Sequence, residues 1–308
     1  MPDRSLLSYR ELGNPLGQNV LCCLAGFPDN ETSGWSELLA HMTTSGTYSS
    51  YRIICMCLPD MEDRPIHRRA WGYSLSEVLA LIDATINHLV PDKNVKVTLA
   101  IHDWGSYFGL FYENAYPSRV KQVLCFDVAC GISKGKSWAN PFFIIMLYQL
   151  WWGAAYTLSQ LIHKHVGALA FGIYFLLMPK SLRPTSFAGI PRPKNEITVE
   201  LCWPYYQFWR LALTTKDRKS LAPKPVGCPI LFLYGSDKNV MFHNSTFLRD
   251  IDSRTDGRSR HLAIEGGGHW LVSAPGAVSA QCLAAVDAFL ELGQQPSLGG
   301  VPLARQLS

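Results

Sequence analysis

The amino-acid sequence predicts a doubly wound α/β fold, in which a mostly parallel sheet carries an inserted α-helical lid. Three observations support this prediction. Short apolar runs alternate with helical patterns, the runs are hydrophobic at every position, and the alternation stops near residue 131 and resumes near residue 226. Continuously hydrophobic strands are typical of a sheet that is buried on both faces, and strand–helix alternation is typical of a parallel sheet.

The apolar runs predict strands in six places. In chain order they read NVLCCLAG, YRIICMCL, VKVTLAIHD, VKQVLCFDV, CPILFLYG and RHLAIEGG. Between the second and third runs, SLSEVLALIDATINHLV opens with Ser74 and Glu77 at capping-box spacing and keeps apolar residues at helical intervals. This helix supplies the crossover that neighbouring parallel strands require. Functional loops are then expected at the carboxyl ends of the strands.

A strongly apolar segment interrupts this alternation. From Ser137 to His163 the chain has no Asp, Glu, Lys or Arg, which exceeds the length of about 18 residues that a membrane span needs. Its glutamines, tyrosines and tryptophans favour lid helices over a hydrophobic pocket, with peripheral membrane contact through the lid as the alternative. We expect one discontinuous core domain over residues 1–130 and 216–295, a helical lid over 131–215 and a disordered tail over 296–308.

The composition describes a globular chain with ample material for a core. Of the 308 residues, 48% are apolar and 17% are charged. The net charge of +4 is scattered in short clusters, so binding to nucleic acid is not expected. The nine cysteines lie mostly in strand-like runs, where a thiol acts as a small buried hydrophobic group. Because the first residues do not resemble a signal peptide, we expect a reducing, cytoplasmic location.

The stretch LAIHDWGSYFG, residues 99–109, runs an apolar strand into an aspartate and then into a helical pattern. A tight glycine-containing bend of this kind holds its middle side chain at the carboxyl edge of the sheet, beside helix N–H groups. Hydrolases that attack acyl carbon usually place serine there, whereas this chain has Asp103. An ionised aspartate can attack saturated carbon without a base and form an alkyl ester on the enzyme.

Hydrolysis of such an ester requires a general base, an acid that orients the base, and N–H donors for the oxyanion. The candidate base is His269, behind the glycines of IEGGGHWLV. The backbone N–H groups of Phe27, in LAGFPDN, and of Trp104 are the candidates for the oxyanion hole. Asp127 and Asp237 each follow a strand, so the topology leaves both open as the acid. Asp127 is favoured, because a carboxylate in an apolar strand is costly to bury without a partner.

Together these residues resemble the α/β-hydrolase superfamily and, within it, the branch of epoxide hydrolases and haloalkane dehalogenases. AGFPDNETSGW is similar to the oxyanion segment of that branch, IHDWGS to its HDWG nucleophile motif, and GGGHWL to its histidine loop. The resemblance covers nearly the whole chain and implies Asp103 as nucleophile and His269 as base. Family variants place the acid at the position of Asp127 or near Asp237. In the more usual spacing the later acid stands where this chain has Lys238, which favours Asp127.

The lid segment carries the expected substrate-binding residues. Epoxide hydrolases of this branch use two lid tyrosines to protonate the ring oxygen, whereas the dehalogenases hold a halide with Trp or Asn N–H donors. ANPFFIIMLYQLWW is similar to the first tyrosine segment, which makes Tyr148 a candidate. PYYQFWR is similar to the second segment, but the residue before Arg210 is Trp209, which leaves Tyr205 and Tyr206 as substitutes.

The resemblance therefore predicts an epoxide hydrolase that acts on a small, largely apolar molecule, through an aspartyl alkyl ester and with no metal or organic cofactor. A haloalkane dehalogenase with the same nucleophile is the first alternative. A non-catalytic hydrolase scaffold that binds a partner or a membrane is the alternative from another class. Two departures from the family pattern, Ala25 for a histidine and Ile101 for a small residue, remove no reacting group.

Overall fold

A mostly parallel sheet forms the centre of the computed structural model, which describes residues 5–62, 69–184 and 190–292. The strands of these residues are β1 (Tyr9–Gly13), β2 (Asn19–Leu24), β3 (Tyr51–Met56), β4 (Val97–His102), β5 (Val120–Phe126), β6 (Ser133–Lys134), β7 (Ile230–Gly235), β8 (Val240–Met241) and β9 (Arg260–Ile264). The main sheet has the order β1-β3-β2-β4-β5-β7-β9, and β6 pairs with β8. β1 runs antiparallel to β3 and the other neighbours in the main sheet are parallel, which confirms the predicted fold class.

Helices cover both faces of the main sheet. In the described part of the chain they are α1 (Ser36–Thr44), α2 (Leu75–Leu89), α3 (Trp104–Ala115), α4 (Pro141–Leu161), α5 (Lys164–Leu177), α6 (Trp203–Thr214), α7 (Ser245–Asp252) and α8 (Ala277–Leu292). Side chains of α2 and α3 enter one hydrophobic core, and those of α1 and α8 enter the other. The sheet is therefore the middle layer of three.

The two cores explain why the strands are hydrophobic at every position. Along β2, Cys22 and Leu24 face the core that contains α2 and α3, whereas Leu21 and Cys23 face the core that contains α1 and α8. Successive side chains of a strand point to opposite faces, so a strand buried on both faces has no polar side. Cys22 and Cys23 are fully buried free thiols, as expected for core cysteines.

The predicted strands correspond to β2, β3, β4, β5, β7 and β9. The edge strand β1 was not predicted, because its sequence YRELG is mostly polar and exposed and therefore has no apolar pattern. The predicted helix is α2, and its capping box is present: the Ser74 hydroxyl accepts from the Glu77 N–H, and the Glu77 carboxylate accepts from the Ser74 N–H.

Helices α4, α5 and α6, which we call the inserted helices, lie between β5 and β7 in the chain. They fall within the range predicted for the lid, although the domain boundaries themselves stay a prediction. The Trp152 ring of α4 packs 5.2 Å from the Phe27 ring, just beyond β2. By length and composition α4 could also cross a membrane, and 39% of its most apolar window is buried. The predicted tail, 296–308, lies outside the described residues.

Candidate active site

Asp103 occupies a sharp bend between β4 and α3. Its φ of 54° and ψ of −129° are unfavourable for a residue with a side chain and are retained only where the surroundings fix them. Gly105 lets the start of α3 approach β2, since a Cβ atom built there would lie 2.0 Å from the Leu24 carbonyl oxygen. One turn later, Gly109 lets α3 approach β4, since a Cβ atom built there would lie 2.5 Å from the Ile101 side chain. The bend therefore presents the Asp103 carboxylate at the carboxyl edge of the sheet.

The loop after β2 supplies N–H groups beside this carboxylate. The Phe27 N–H donates to Asp103 Oδ1 at 2.7 Å. A Cβ atom built on Gly26 would lie 2.3 Å from the Trp104 backbone N and 2.5 Å from Asp103 Oδ1. Any side chain at residue 26 would therefore occupy the space that these groups share. The geometry is suited to an oxyanion that forms on Oδ1.

His269 joins two carboxylates. Its Nε2 lies 3.2 Å from Asp103 Oδ2, and its Nδ1 lies 2.6 Å from Asp127 Oδ2. Burial is the largest single influence and disfavours the charged imidazolium, but the hydrogen bonds and charges of Asp103 and Asp127 outweigh it and raise the pKa of His269 to about 9. The imidazole is therefore protonated at neutral pH as long as both carboxylates are ionised.

The acid next to His269 is Asp127 and not Asp237. Asp127 is fully buried at the end of β5, and its other oxygen, Oδ1, accepts from the Gly235 N–H at 3.0 Å. Asp237, the alternative acid, has a side chain that is 54% exposed and forms an ion pair with Lys136 at 2.7 Å. The turn that follows β7 directs it outwards, so the geometry does not support Asp237 as the orienting acid.

Lys238 is a site residue that sequence reasoning noted only as a departure from the family pattern. Its side chain is fully buried, and its ammonium group donates a hydrogen bond to Asp127 Oδ1. Burial alone would raise the pKa of Asp127, but the Lys238 charge and His269 hold that pKa well below the usual value for a carboxyl group. Burial lowers the pKa of Lys238, and the Asp127 charge opposes this. The Lys238 ammonium group thus lies on the side of Asp127 that faces away from His269.

A second set of polar side chains, which the sequence analysis also did not identify, holds the loop that carries His269. His102 Nε2 donates to the His269 carbonyl oxygen at 3.0 Å. Burial first, and then the nearby His269, lower the pKa of His102 to about 4, so it is neutral. The Trp270 indole donates to Asp29 at 2.9 Å, and burial raises the pKa of Asp29 to about 6. These contacts hold the histidine loop without adding a second base.

Two of the candidate tyrosines meet near Asp103. The Tyr148 and Tyr205 rings lie 5.7 Å apart, and the Tyr205 ring lies 5.1 Å from Trp104. Burial raises the pKa of both hydroxyls, and the charge of Asp103 raises both further. Each therefore carries a proton at neutral pH and lies near enough to Asp103 to sense its charge.

The other two aromatic candidates lie elsewhere. The Tyr206 ring packs against Trp71 at 5.3 Å and Tyr156 at 5.6 Å, and Trp209 packs against Phe208 at 5.7 Å. Consecutive helical residues point about 100° apart, so α6 can direct only one of two neighbouring tyrosines to the site. The geometry therefore selects Tyr205 and does not support Tyr206 or Trp209 as substrate-binding residues.

Comparison with solved structures identifies the α/β-hydrolase fold. Potato (Solanum tuberosum) epoxide hydrolase I aligns over 92% of this chain and 95% of its own, with a TM-score of 0.58 and 16% identity. A thermophilic esterase from Thermogutta terrifontis aligns over 94% of both chains, with a TM-score of 0.61 and 14% identity. The predicted fold is confirmed, and both epoxide hydrolases and esterases have this fold.

Curated proteins also include relatives that are similar to this chain in sequence. The cis-3-alkyl-4-alkyloxetan-2-one decarboxylase of Xanthomonas campestris pv. campestris is 26% identical over 202 residues, which make up 62% of this chain and 62% of the relative. The match thus spans less than two thirds of that protein. No family model matches the chain.

Proposed function

We propose that the protein is a hydrolase that opens small apolar epoxides to diols through an ester on Asp103. The observation that carries this proposal is the position of the Asp103 carboxylate: Oδ1 accepts from the Phe27 N–H and Oδ2 faces His269. A serine at this bend would need its proton removed before it could attack, whereas a carboxylate is already a nucleophile. The tyrosine pair supplies the acid that an epoxide needs.

In the first step, Asp103 Oδ2 attacks a ring carbon and the bond between that carbon and the ring oxygen breaks. The electron pair of this bond passes to the ring oxygen, which takes a proton from Tyr148 or Tyr205. A new bond joins Oδ2 to the substrate, and no water or base is needed. Protonation of the leaving oxygen is the contribution of general acid catalysis in this step.

In the second step, the charge on His269 changes because Asp103 has become an uncharged ester. With one of its two carboxylates neutralised, the pKa of His269 falls from about 9 and the imidazole becomes available as a base. It takes a proton from water, which attacks the ester carbonyl carbon. Oδ1 carries the oxyanion beside the Phe27 and Trp104 N–H groups. Collapse breaks the bond between the carbonyl carbon and the alkyl oxygen, and this oxygen takes back the proton held by His269 as the diol leaves. The Asp103 carboxyl group then loses its proton, which restores the carboxylate and reprotonates the tyrosine.

The sequence relative provides a second candidate function. Its name describes action on an oxetan-2-one with two alkyl groups, which is also a strained ring with an oxygen leaving group. The same carboxylate could attack such a ring in this protein. An oxetan-2-one that loses carbon dioxide leaves an alkene and no diol. The products therefore distinguish this function from epoxide hydrolysis.

Product analysis with purified protein tests the proposal. We would incubate it separately with styrene oxide, a bromoalkane and a cis-3,4-dialkyloxetan-2-one, and measure diol, bromide and carbon dioxide. Diol from the epoxide is the expected result. Bromide without diol would assign a dehalogenase, and carbon dioxide with an alkene would assign the second candidate. No product from any of the three would support a non-catalytic scaffold.

The tyrosine pair gives a prediction at residue resolution. Replacing Tyr148 and Tyr205 together by phenylalanine removes both proton donors, and we expect kcat for epoxide opening to fall by about 10²–10⁴-fold. Each single variant should lose part of this factor. The matched control is Tyr206→Phe, the adjacent residue, which packs on Trp71 and should leave kcat nearly unchanged. A larger loss in Tyr206→Phe than in Tyr205→Phe would contradict the assignment.

A further inference from the structure

The inserted helices expose an unusual amount of apolar surface. Of the thirteen large hydrophobic side chains that are exposed in the described residues, ten lie between residues 138 and 177. We call these ten the apolar face. They are Trp138, Phe142, Phe143, Leu150, Leu161, Ile162, Val166, Leu169, Leu176 and Leu177. Single exposed hydrophobic residues are common, but a concentration of this kind marks a surface that contacts a partner or a membrane.

The exposed residues follow the helical repeat. Along α4, Phe143, Leu150 and Leu161 are exposed at intervals of seven and eleven residues, which place them on one side of a helix. The opposite side of α4, with Tyr148 and Trp152, is buried against the site. Helix α4 therefore has an inner side that covers the candidate active site and an outer side that exposes apolar residues.

The charged residues of the segment that carries this surface have one sign. Between Asp127 and Glu196 the sequence has no acidic residue, but it has five lysines and two arginines. Lys164, Lys180 and Lys194 are among those that are exposed. The rest of the chain, with 21 basic and 24 acidic residues, is slightly acidic. Cations are thus concentrated on the segment that carries the apolar face.

We propose that the apolar face docks on an anionic lipid bilayer. The headgroup region of such a bilayer binds surfaces that combine apolar side chains, an interfacial tryptophan such as Trp138, and flanking lysines. A second copy of the chain is a less suitable partner, because two such faces would bring like charges together with no carboxylate from this segment to pair them.

A cavity lies between α5 and the loop that carries Phe27. It has a volume of about 380 Å³ and is lined by Phe171, Gly172 and Phe175 of α5, by Lys194 and by Phe27. Gly172 and Lys194 are exposed, whereas Phe27 is buried and its N–H holds Asp103. Docking would therefore place the opening of the cavity against the lipid. An apolar epoxide dissolved in the bilayer could then enter without crossing water; this last step rests on the proposed function.

Flotation with lipid vesicles tests the docking surface independently of catalysis. We expect the protein to float with phosphatidylcholine vesicles that contain phosphatidylserine, and to float less with pure phosphatidylcholine or at high salt. Leu169→Glu with Leu176→Glu should reduce the bound fraction by about ten-fold or more, because it places charge in the lipid contact. The matched control is Leu213→Glu, which is equally exposed but lies outside the apolar face. Thermal unfolding would verify that all variants are folded.

The outcomes are distinct. Failure of the unmodified protein to float, or equal binding of the double variant, would overturn the proposal. A dimer in sedimentation that the double variant abolishes would assign the face to a second copy and would also overturn it. If docking and catalysis are both correct, the double variant should hydrolyse styrene oxide in buffer at the normal rate and lose activity only toward a long-chain epoxide dissolved in vesicles. Floating without any hydrolysis would leave docking intact and remove the proposed function.

Discussion

Replacing His269 by glutamine is expected to stop turnover after the first chemical step and to leave the substrate attached to Asp103. The reason is that attack by a carboxylate needs no base, whereas release of the ester needs one to activate water. Intact-mass spectrometry should therefore show one substrate mass added to the protein. Steady-state kcat should fall by about 10²–10⁴-fold, the usual contribution of a general base.

Two variants control this result. Asp103→Asn should show no adduct, because the amide is not a nucleophile at neutral pH. His88→Gln, at an exposed position on α2, should turn over normally and accumulate nothing. If His269→Gln shows no adduct with epoxides, bromoalkanes or oxetan-2-ones, the covalent mechanism is wrong. If the adduct forms and then disappears at the normal rate, the base is another group.

The local parts of this site could be predicted from the sequence, because each depends on a short stretch of chain. The elbow at Asp103 follows from an apolar strand, a glycine-containing bend and a helix within eleven residues. Parallel strands bring their carboxyl ends to one edge, so the sequence could place Phe27, His269 and either Asp127 or Asp237 at the same edge as Asp103. These features needed no knowledge of how side chains pack.

The remaining parts depend on tertiary packing. Tyr205 and Tyr206 are adjacent in sequence, and only the rotation of α6 about its axis decides which one faces Asp103. Asp127 and Asp237 both end strands, and only the direction of the turn after β7 separates them. The role of Lys238 could not be deduced because lysine is rarely buried fully, and its partner is 111 residues away in the chain.

The relation between Lys238 and Asp127 leads to the largest expected effect on stability. Lys238→Met leaves the Asp127 carboxylate in the interior without its ammonium partner, and breaking a buried ion pair in this way costs about 3–5 kcal/mol of unfolding free energy. The matched control is Lys136→Met, whose partner Asp237 is at the surface and whose loss should cost no more than about 1 kcal/mol. Denaturant unfolding at neutral pH would measure both.

The pH dependence of this stability effect follows from the direction in which Lys238 shifts the pKa of Asp127. Lys238 lowers the pKa of Asp127 in the folded protein, so its stabilisation is present above the ordinary carboxyl pKa of about 3.9 and is lost as the pH falls below it. The difference between Lys238→Met and the unmodified protein should therefore shrink in acid. Replacing Asp127 by asparagine in the same variant removes the buried carboxylate that has lost its ammonium partner, and it should restore part of the stability without restoring activity.

The pH profile of catalysis would distinguish an effect of Lys238 on His269 from a purely structural role. His269 is faced by Asp103, Asp127 and the neutral His102, and Lys238 opposes the field of Asp127 on it. Without this cation the imidazolium is favoured further, so the pKa of His269 rises and hydrolysis of the Asp103 ester requires a higher pH. We expect the alkaline shift in the single-turnover rate of ester hydrolysis, with little change in the rate of ester formation. A folded Lys238→Met protein with an unshifted pH profile would show that Lys238 only stabilises the fold and does not tune the base.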